Sequence, residues 1–330
     1  MDFQNGMKSL SEIKKPLQKD IEAYQKVFRE TVRSKVPLLD LIMKYILHTK
    51  GKEIRPIIVL YSARMLGEIT PATYYAATLI ELLHTATLVH DDVVDDSAKR
   101  RGFFSVNALW KNKIAVLSGD YLLSKGLLLA IETQNPHLLE YVSKATRDMS
   151  EGELMQVEKA RKMDFSESLY YEVIRKKTAS LLASCFATGA YSTIKDKEAI
   201  EKLWRVGELT GIAFQIMDDV LDYEKTSVTG KPTGIDIKEK KVTLPLIYLL
   251  NQVDKQKKRQ LLSIIKHKNN HPESVALVIE EVKKAGGLDF ARNKMQEFKN
   301  QALDLLREFP DNESRQALEA IIEFTINRKK

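Results

Sequence analysis

Three aspartates stand close together after a long apolar run in the first third of the chain. The run TLIELLHTATLV leads into HDDVVDD, residues 90 to 96, which contains Asp91, Asp92 and Asp95. On a helix of about 3.6 residues per turn, Asp91 and Asp95 lie one turn apart on one face. Like charges at this spacing destabilise a helix by roughly 0.2–0.5 kcal/mol per pair. The cluster is therefore either a solvated acidic face or a site for a hard cation such as Mg²⁺, which prefers oxygen ligands.

A second copy of the pattern favours the metal site. The segment GIAFQIMDDVLD, residues 211 to 222, is again an apolar helical run, and it ends in Asp218, Asp219 and Asp222. Two such clusters that face each other across a cavity could hold several Mg²⁺ ions. Ions of this kind usually keep waters and bind a phosphorylated substrate.

The composition predicts an all-α protein. The chain has 330 residues, 44% of them hydrophobic, which is enough for a sizeable core. Apolar residues recur at spacings of three and four over long segments, and helix formers dominate. No segment has the character of a linker between domains, so we expect a single domain over residues 1–330.

The cysteine content and the charge limit the possible locations and partners. Cys185 is the only cysteine, which excludes an internal disulfide and suits a reducing compartment. The start of the chain lacks a signal-peptide core, and no apolar run approaches the ~18 residues of a membrane span, so we expect a cytoplasmic protein. The net charge of +7 allows nucleic acid, acidic lipid or phosphorylated small molecules as partners. No nucleic-acid module is recognisable, and runs such as KQKKR are typical of solvated helix faces.

Helical periodicity covers most of the chain. It predicts helices over about 9–31, 37–49, 53–66, from 72 through the first aspartate cluster, and over 136–161, 167–191 and 197–223. The stretch KRRGFFSVN reads as a break, after which AVLSGDYLLSKGLLLAIE resumes a helix. TSVTGKPTGID, residues 226–236, reads as a mobile loop directly after the second cluster. Helices resume at VTLPLIYLLN and continue from about 254.

Four groups of basic residues could bind phosphate near these motifs. They are Lys52 with Arg55 in GKEIRP, expected on one face at a helix start; Arg100 with Arg101 in KRRG; Lys177 with Thr178 in RKKTA, expected to open an apolar helix; and Lys231 with Lys241 in and after the loop. Each group alone is compatible with ordinary surface charge. His84, two turns before Asp91, is either a packed core residue or a donor to a phosphate oxygen.

With these motifs, nearly the whole chain resembles the trans-isoprenyl diphosphate synthases, or polyprenyl synthetases. The resemblance implies a bundle of long helices around a deep central cavity, normally a homodimer. It implies a Mg²⁺-dependent condensation of isopentenyl diphosphate with an allylic prenyl diphosphate. It also implies that the six aspartates bind Mg²⁺ ions that bridge to the allylic diphosphate.

The same resemblance implies roles for the other residues. Four residues match the family's binding pocket for isopentenyl diphosphate: Lys52, Arg55, His84 and Arg101. Four match the residues that bind the allylic diphosphate: Arg100, Lys177, Lys231 and Lys241. Thr178 and Gln215 match polar groups near the developing cation. Lys240 stands where long-chain members often have Gly, so the role of Lys241 could fall to its neighbour.

The chemistry of the residues supports this reaction independently of the family resemblance. Breaking a carbon–oxygen bond to form an allylic cation requires a stabilised diphosphate leaving group, which Mg²⁺ and Lys or Arg donors supply. The cation must meet the second substrate rather than water, so the loop over 226–236 is the expected lid. No side chain stands out as general base, and the departing pyrophosphate is expected to take the proton, as proposed for the family.

The residues one turn before Asp91 predict the product length. In the family, bulky aromatic residues there stop chain growth early, whereas this chain has Ala86 and Thr87, with Leu82 and Leu83 a turn deeper. We therefore expect a product of about thirty carbons or more, with a short-chain product as the alternative. The sequence HTATLVHDDVVD is similar to the corresponding sequence of the synthases that make quinone side chains. Such a product suggests transient membrane contact at its release.

Three other readings explain less of the sequence. A class I terpene cyclase shares the fold but usually carries Asn and Ser or Thr in its second metal motif. A helical phosphohydrolase with His-Asp pairs would use His84, His90 and Asp91, but leaves the second cluster and GKEIRP unexplained. A non-catalytic subunit of a heteromeric synthase would be expected to lose carboxylates, and all six are present.

Overall fold

The computed structural model describes residues 9–49, 51–100, 102–133, 136–162, 165–224, 234–241 and 243–326. The chain forms two compact units. Unit 1 comprises Met1–Thr146, Ala183–Trp204 and Arg307–Ile321, and unit 2 comprises Arg147–Leu182, Arg205–Leu306 and Ile322–Lys330. The single domain expected from the sequence stays a prediction.

Helices make up most of the described residues, as the sequence predicts. From the N-terminal side they are α1 (Leu10–Lys14), α2 (Gln18–Val32), α3 (Pro37–His48), α4 (Ile54–Leu66), α5 (Pro71–Val94), α6 (Val106–Glu132) and α7 (Pro136–Lys162). A 3-10 turn, Lys15–Leu17, joins α1 to α2.

The second half of the chain continues the pattern. Its helices are α8 (Glu167–Ile174), α9 (Ser180–Tyr191), α10 (Lys197–Asp222), α11 (Ile235–Lys238), α12 (Leu244–Gln252), α13 (Lys255–His267), α14 (Pro272–Lys284), α15 (Gly287–Arg307) and α16 (Glu313–Ile326). The π-helical turn Arg175–Ala179 lies between α8 and α9. The all-α prediction is confirmed.

The segment predicted to be a break is a small β-hairpin. β1 (Lys99–Arg100) and β2 (Phe103–Phe104) pair antiparallel. Gly102 between them has a φ of +83°, a left-handed value that glycine adopts without steric cost. Tyr45 of α3 donates a hydrogen bond to the Phe104 carbonyl oxygen at 2.6 Å, which ties the hairpin to the helices of unit 1.

Close packing of α5 against α6 fixes the end of α5. A Cβ atom at Gly126 of α6 would lie 3.3 Å from Leu79 Cδ1, and one at Gly119 would overlap the imidazole of His90. The two glycines therefore let the helices approach more closely than larger residues would. Because His90 precedes the first aspartate cluster directly, this contact holds the cluster in place.

Helix α6 differs from its prediction in two ways. It begins at Val106, nine residues before the predicted start, and Lys111 interrupts its helical geometry with a φ of 72°. By length and composition α6 could also cross a bilayer, although core helices of soluble proteins pass the same test. The length of α6 differs from that of its uninterrupted apolar stretches, because Asp120 and Lys125 divide the apolar run. The cytoplasmic location stays a prediction.

In unit 2, two close backbone contacts support the π-helical turn. A Cβ atom at Gly152 of α7 would lie 2.6 Å from the Lys177 nitrogen, and one at Gly211 of α10 would lie 2.5 Å from the Ala179 Cα. Either substitution would therefore push the turn away. Through these glycines, α7 and α10 hold the turn that carries Lys177 and Thr178.

Candidate active site

The first aspartate cluster forms the C-terminal end of α5. Asp91 and Asp92 lie in its last turn and Asp95 is the C-cap, whose backbone N–H donates to the Asp91 carbonyl oxygen at 2.8 Å. The three carboxylates differ in burial: Asp95 is exposed, Asp91 is half-buried and Asp92 is buried. The cluster thus has one buried carboxylate, Asp92, and two that are more accessible.

Asp92 is bound to the protein around it. Arg100 of the hairpin donates through Nε to its Oδ1 at 2.7 Å, and Asn107 Nδ2 donates to its backbone carbonyl at 3.1 Å. Burial raises the pKa of the Asp92 carboxyl, and the Arg100 guanidinium opposes that rise. This contact uses only one of the five N–H donors of Arg100.

A pocket in unit 1 lies beside this ion pair. Its lining includes Glu81, His84, Thr85, Asp92 and Arg100, together with the rings of Phe28, Tyr45, Phe103 and Phe104. The pocket brings His84, predicted to contact isopentenyl diphosphate, together with Arg100 and Asp92, predicted to act at the allylic diphosphate. Glu81 is buried there and was not singled out from the sequence. The sequence feature that could have identified Glu81 is a single carboxylate within an otherwise apolar helical run.

Lys52 and Arg55 lie near the start of α4 and are not part of the pocket lining. The expectation that both stand on one helix face is wrong, because α4 begins at Ile54 and Lys52 precedes the N-cap, Glu53. Glu53 has a left-handed φ of 53°, and its carboxylate accepts from Gln25 Nε2 at 3.0 Å. Lys52 is exposed and Arg55 is half-buried. Arg101 lies outside the described residues.

In unit 2, Asp219 of the second cluster is the centre of a buried hydrogen-bond network. It is only 4% exposed. Its Oδ2 accepts from the Tyr170 hydroxyl at 2.7 Å and from the Leu244 N–H at 3.4 Å, and its Oδ1 accepts from Gln215 Nε2 at 3.2 Å. Burial, followed by the charge of Asp236, raises the pKa of Asp219 to about 8, although the three donors oppose the rise.

The network extends to the π-helical turn. The Thr178 hydroxyl donates to Gln215 Oε1 at 3.0 Å, so Thr178, Gln215 and Asp219 form one chain of contacts. Lys177, one residue earlier, pairs with Glu153 at 2.5 Å and donates to Gln156 at 3.3 Å. The prediction that Lys177 and Thr178 open a helix is wrong, because both lie in the π turn between α8 and α9. Such turns are frequent at functional sites.

Asp222 holds the short helix that follows the loop. Its two carboxylate oxygens accept from the backbone N–H groups of Ile235 at 3.2 Å and Asp236 at 3.0 Å, and so cap α11. Asp218, at the other end of the cluster, is half-buried. The three aspartates of the second cluster therefore differ: Asp219 and Asp222 accept hydrogen bonds from protein groups, and Asp218 is the most accessible to solvent.

Asp236 adds a carboxylate that the sequence analysis did not select. Burial, followed by the charge of Asp222, raises its pKa to about 6, and Lys241 Nζ lies 3.6 Å from its Oδ1. Lys241 also pairs with Glu239 at 2.5 Å, and Lys240 has a left-handed φ of 58°. Lys231 and residues 226–233 of the predicted lid lie outside the described residues.

The donor sets suit an ion that keeps part of its hydration shell. Among the described residues, no three His, Cys, Asp or Glu side chains converge closely enough to hold a metal by themselves. Mg²⁺ is usually bound by one or two carboxylates plus waters and substrate phosphates rather than by a protein cage. Burial is the main cause of the raised pKa values of Asp219 and Asp236, and the charges of neighbouring carboxylates raise them further; a divalent cation would neutralise that added negative charge. The residues present therefore fit Mg²⁺.

The residues predicted to control chain length lie on α5, in the interior of unit 1. Ala86 is fully buried and Leu83 is 5% exposed, while Leu82 is fully buried as well. Thr87 is half-buried, and its hydroxyl donates to the His84 carbonyl oxygen at 2.9 Å. A larger side chain at position 86 would therefore have to displace its neighbours.

Comparisons with known proteins agree with the motifs. The profile of the family described as polyprenyl synthetase matches residues 36–282. An all-trans-nonaprenyl-diphosphate synthase of Rhodobacter capsulatus is 36% identical over 95% of this chain and 96% of its own. The crystal structure of a decaprenyl diphosphate synthase from the same organism is 32% identical, with a TM-score of 0.91 over 96% of this chain and 98% of the other. A geranylgeranyl pyrophosphate synthase from Bacteroides thetaiotaomicron is 37% identical, with a TM-score of 0.81 over 96% and 98%.

Proposed function

The chain belongs to the polyprenyl synthetase family, and we propose that it condenses isopentenyl diphosphate with an allylic prenyl diphosphate to give a long-chain trans-polyprenyl diphosphate. The observation that carries the proposal is the pair of aspartate clusters. Each combines one carboxylate that is buried and bonded to protein donors, Asp92 or Asp219, with a more accessible one, Asp91 or Asp218. This arrangement supports a fixed site for hydrated divalent cations.

In the proposed reaction the allylic carbon–oxygen bond breaks and pyrophosphate leaves. A carbon–carbon bond then forms to the double bond of isopentenyl diphosphate, and a proton passes from the new chain to the pyrophosphate. Asp91 and Asp95 in unit 1, and Asp218 in unit 2, would hold Mg²⁺ bound to substrate phosphate, and the ion would supply Lewis-acid stabilisation of the leaving group. Arg100 in unit 1 and Lys177 in unit 2 supply positive charge for substrate phosphate, and Thr178 and Gln215 are the polar groups assigned to the developing cation.

The buried small residue on α5 supports a long product. Ala86 is buried and small, so no bulky aromatic side chain stands at this position to end chain growth, and two of the compared proteins are named for nonaprenyl and decaprenyl products. The geranylgeranyl synthase at 37% identity favours the alternative, a short-chain enzyme. A quinone side chain as the destination of the product is part of the proposal.

A homodimer is the proposed assembly, and an exposed apolar face supports it. Six large apolar side chains of α6 are exposed, namely Leu109, Val116, Leu117, Leu127, Leu128 and Ile131. An apolar face of this kind on a soluble domain usually marks an interaction surface. A second copy of the chain would bury it symmetrically.

The reaction is tested by incubating the purified protein with isopentenyl diphosphate, farnesyl diphosphate and Mg²⁺, and by measuring the pyrophosphate released. We expect release that requires both substrates and stops when EDTA removes the metal. The Asp218→Asn variant, checked for native helicity by circular dichroism, should lose most of the rate. Pyrophosphate release without isopentenyl diphosphate would instead indicate hydrolysis or cyclisation, and no release from the folded protein would refute the proposal.

A further inference from the structure

One helix of unit 2 carries a local excess of basic residues. The segment 254–271, which contains α13, has six Lys or Arg residues and one Asp, a net charge of +5 out of +7 for the whole chain. The basic residues are Lys255, Lys257, Lys258, Arg259, Lys266 and Lys268. A local excess of this size predicts an anionic partner for this part of unit 2.

Three of these residues form a stripe along one face of α13. Lys255, Arg259 and Lys266 are exposed, and Leu262 lies between them half-buried. The spacings of four, three and four place all four residues on one side of the helix. An adjoining side of the helix carries the buried Leu261 and Ile265, which anchor α13 in its unit. The basic stripe therefore faces outward from a fixed helix.

The charges of the stripe are not neutralised by neighbouring side chains. Within the described part of the chain, the only ion pair formed by α13 joins Lys257 to Glu281 at 3.1 Å. Asp254 is occupied as the N-cap, where it accepts from the Gln256 and Lys257 N–H groups. Three outward cations without acidic partners are available to a surface of opposite charge.

We propose that α13 docks the protein on an anionic lipid bilayer. The inference rests on the proposed function, because a long polyprenyl tail is apolar and must pass from the enzyme into lipid. Clusters of four to eight Lys or Arg on an amphipathic helix are a recognised pattern for anionic lipid headgroups. Leu262, in the middle of the stripe, adds an apolar contact at the interface. The segment 254–271 contains no Phe, Tyr or Trp on which bases could stack, so lipid is favoured over single-stranded nucleic acid.

The test is a flotation assay with the full chain and two kinds of vesicle, one of phosphatidylcholine alone and one with a quarter phosphatidylglycerol. The test variant is Lys255→Glu with Arg259→Glu and Lys266→Glu. The matched control is Lys15→Glu with Lys19→Glu and Lys26→Glu, which makes the same charge change at exposed sites on the N-terminal segment. Prenyl transfer is measured for every protein in detergent, without vesicles.

We expect the unmodified protein to bind the anionic vesicles and not the neutral ones, with binding that weakens as salt is added. Each basic residue near the surface contributes about fivefold to the partition, so the test variant should bind roughly a hundredfold more weakly. The control should lose far less. All three proteins should have the same rate in detergent.

Equal losses in the test and control variants would show that binding follows net charge alone and would overturn the proposal. Binding that is indifferent to phosphatidylglycerol would overturn it as well, as would displacement of the protein from vesicles by a short RNA at equal charge concentration. Absence of prenyl transfer in detergent would instead refute the proposed function, whatever the vesicles show.

Discussion

Tyr170 is the residue whose removal tests the network around Asp219 most sharply. Its hydroxyl is buried and donates to Asp219 Oδ2 at 2.7 Å, while Gln215 and the Leu244 N–H supply the remaining donors. Hydrogen bonds to charged groups contribute roughly 1.5–3 kcal/mol. The Tyr170→Phe variant loses this contact and leaves the other two in place.

The loss should appear in the metal dependence. The Tyr170 hydroxyl lowers the pKa of Asp219, so its removal raises that pKa further above the present value of about 8. Asp219 then carries less negative charge at neutral pH next to Asp218, so the second cluster attracts a cation less strongly. At about 1.4 kcal/mol for each factor of ten, we expect the Mg²⁺ concentration at half-maximal rate to rise roughly tenfold to a hundredfold.

The assay is the rate of pyrophosphate release as a function of Mg²⁺ concentration. Tyr171→Phe is the matched control, because it removes a hydroxyl from the next residue of α8 and leaves the Asp219 contact intact. Both variants should unfold cooperatively at similar temperatures. A Tyr170→Phe protein that is folded and has the Mg²⁺ dependence of the unmodified protein would refute the argument.

Three further changes probe the rest of the account. Ala86→Phe fills a fully buried position on α5 and should shorten the product by one or more isoprene units, whereas an unchanged distribution in mass spectrometry would contradict the role of this residue. Gly119→Ala drives a methyl group into the His90 ring and should cost about 1–3 kcal/mol in the free energy of unfolding, measured by urea denaturation; a stability equal to that of the unmodified protein would show that the helices separate without cost. Ile131→Glu with Leu127→Glu should convert a dimer into monomers in light scattering, and an unaltered mass would place the interface elsewhere.

The parts that the sequence predicted are those governed by local periodicity. The apolar spacing located α3, α4, α5, α7, α10 and α12 to within two residues of their bounds, and α5 and α10 end in the aspartate clusters. Both clusters could be selected because like charges at helical spacing are unfavourable without a cation.

The parts that the sequence did not predict depend on packing between distant segments. Tyr170 meets Asp219 across 49 positions of sequence, and Arg100 meets Asp92 only because a hairpin turns the chain back. The π turn at Arg175–Ala179 has the sequence RKKTA, which contains no Gly or Pro to mark an irregularity in the helical pattern. Lys52 was expected on the same helix face as Arg55, but the left-handed backbone of Glu53 means that α4 begins only at Ile54, after Lys52.

The product length made by the purified protein tests the central claim most directly. Isopentenyl diphosphate in excess over farnesyl diphosphate, with Mg²⁺ and detergent, should give prenyl diphosphates of about thirty carbons or more by chromatography and mass spectrometry, as the buried Ala86 predicts. Products that stop at geranylgeranyl diphosphate would keep the reaction and contradict the long-chain assignment. No elongated product from the folded protein would contradict the enzymatic account itself.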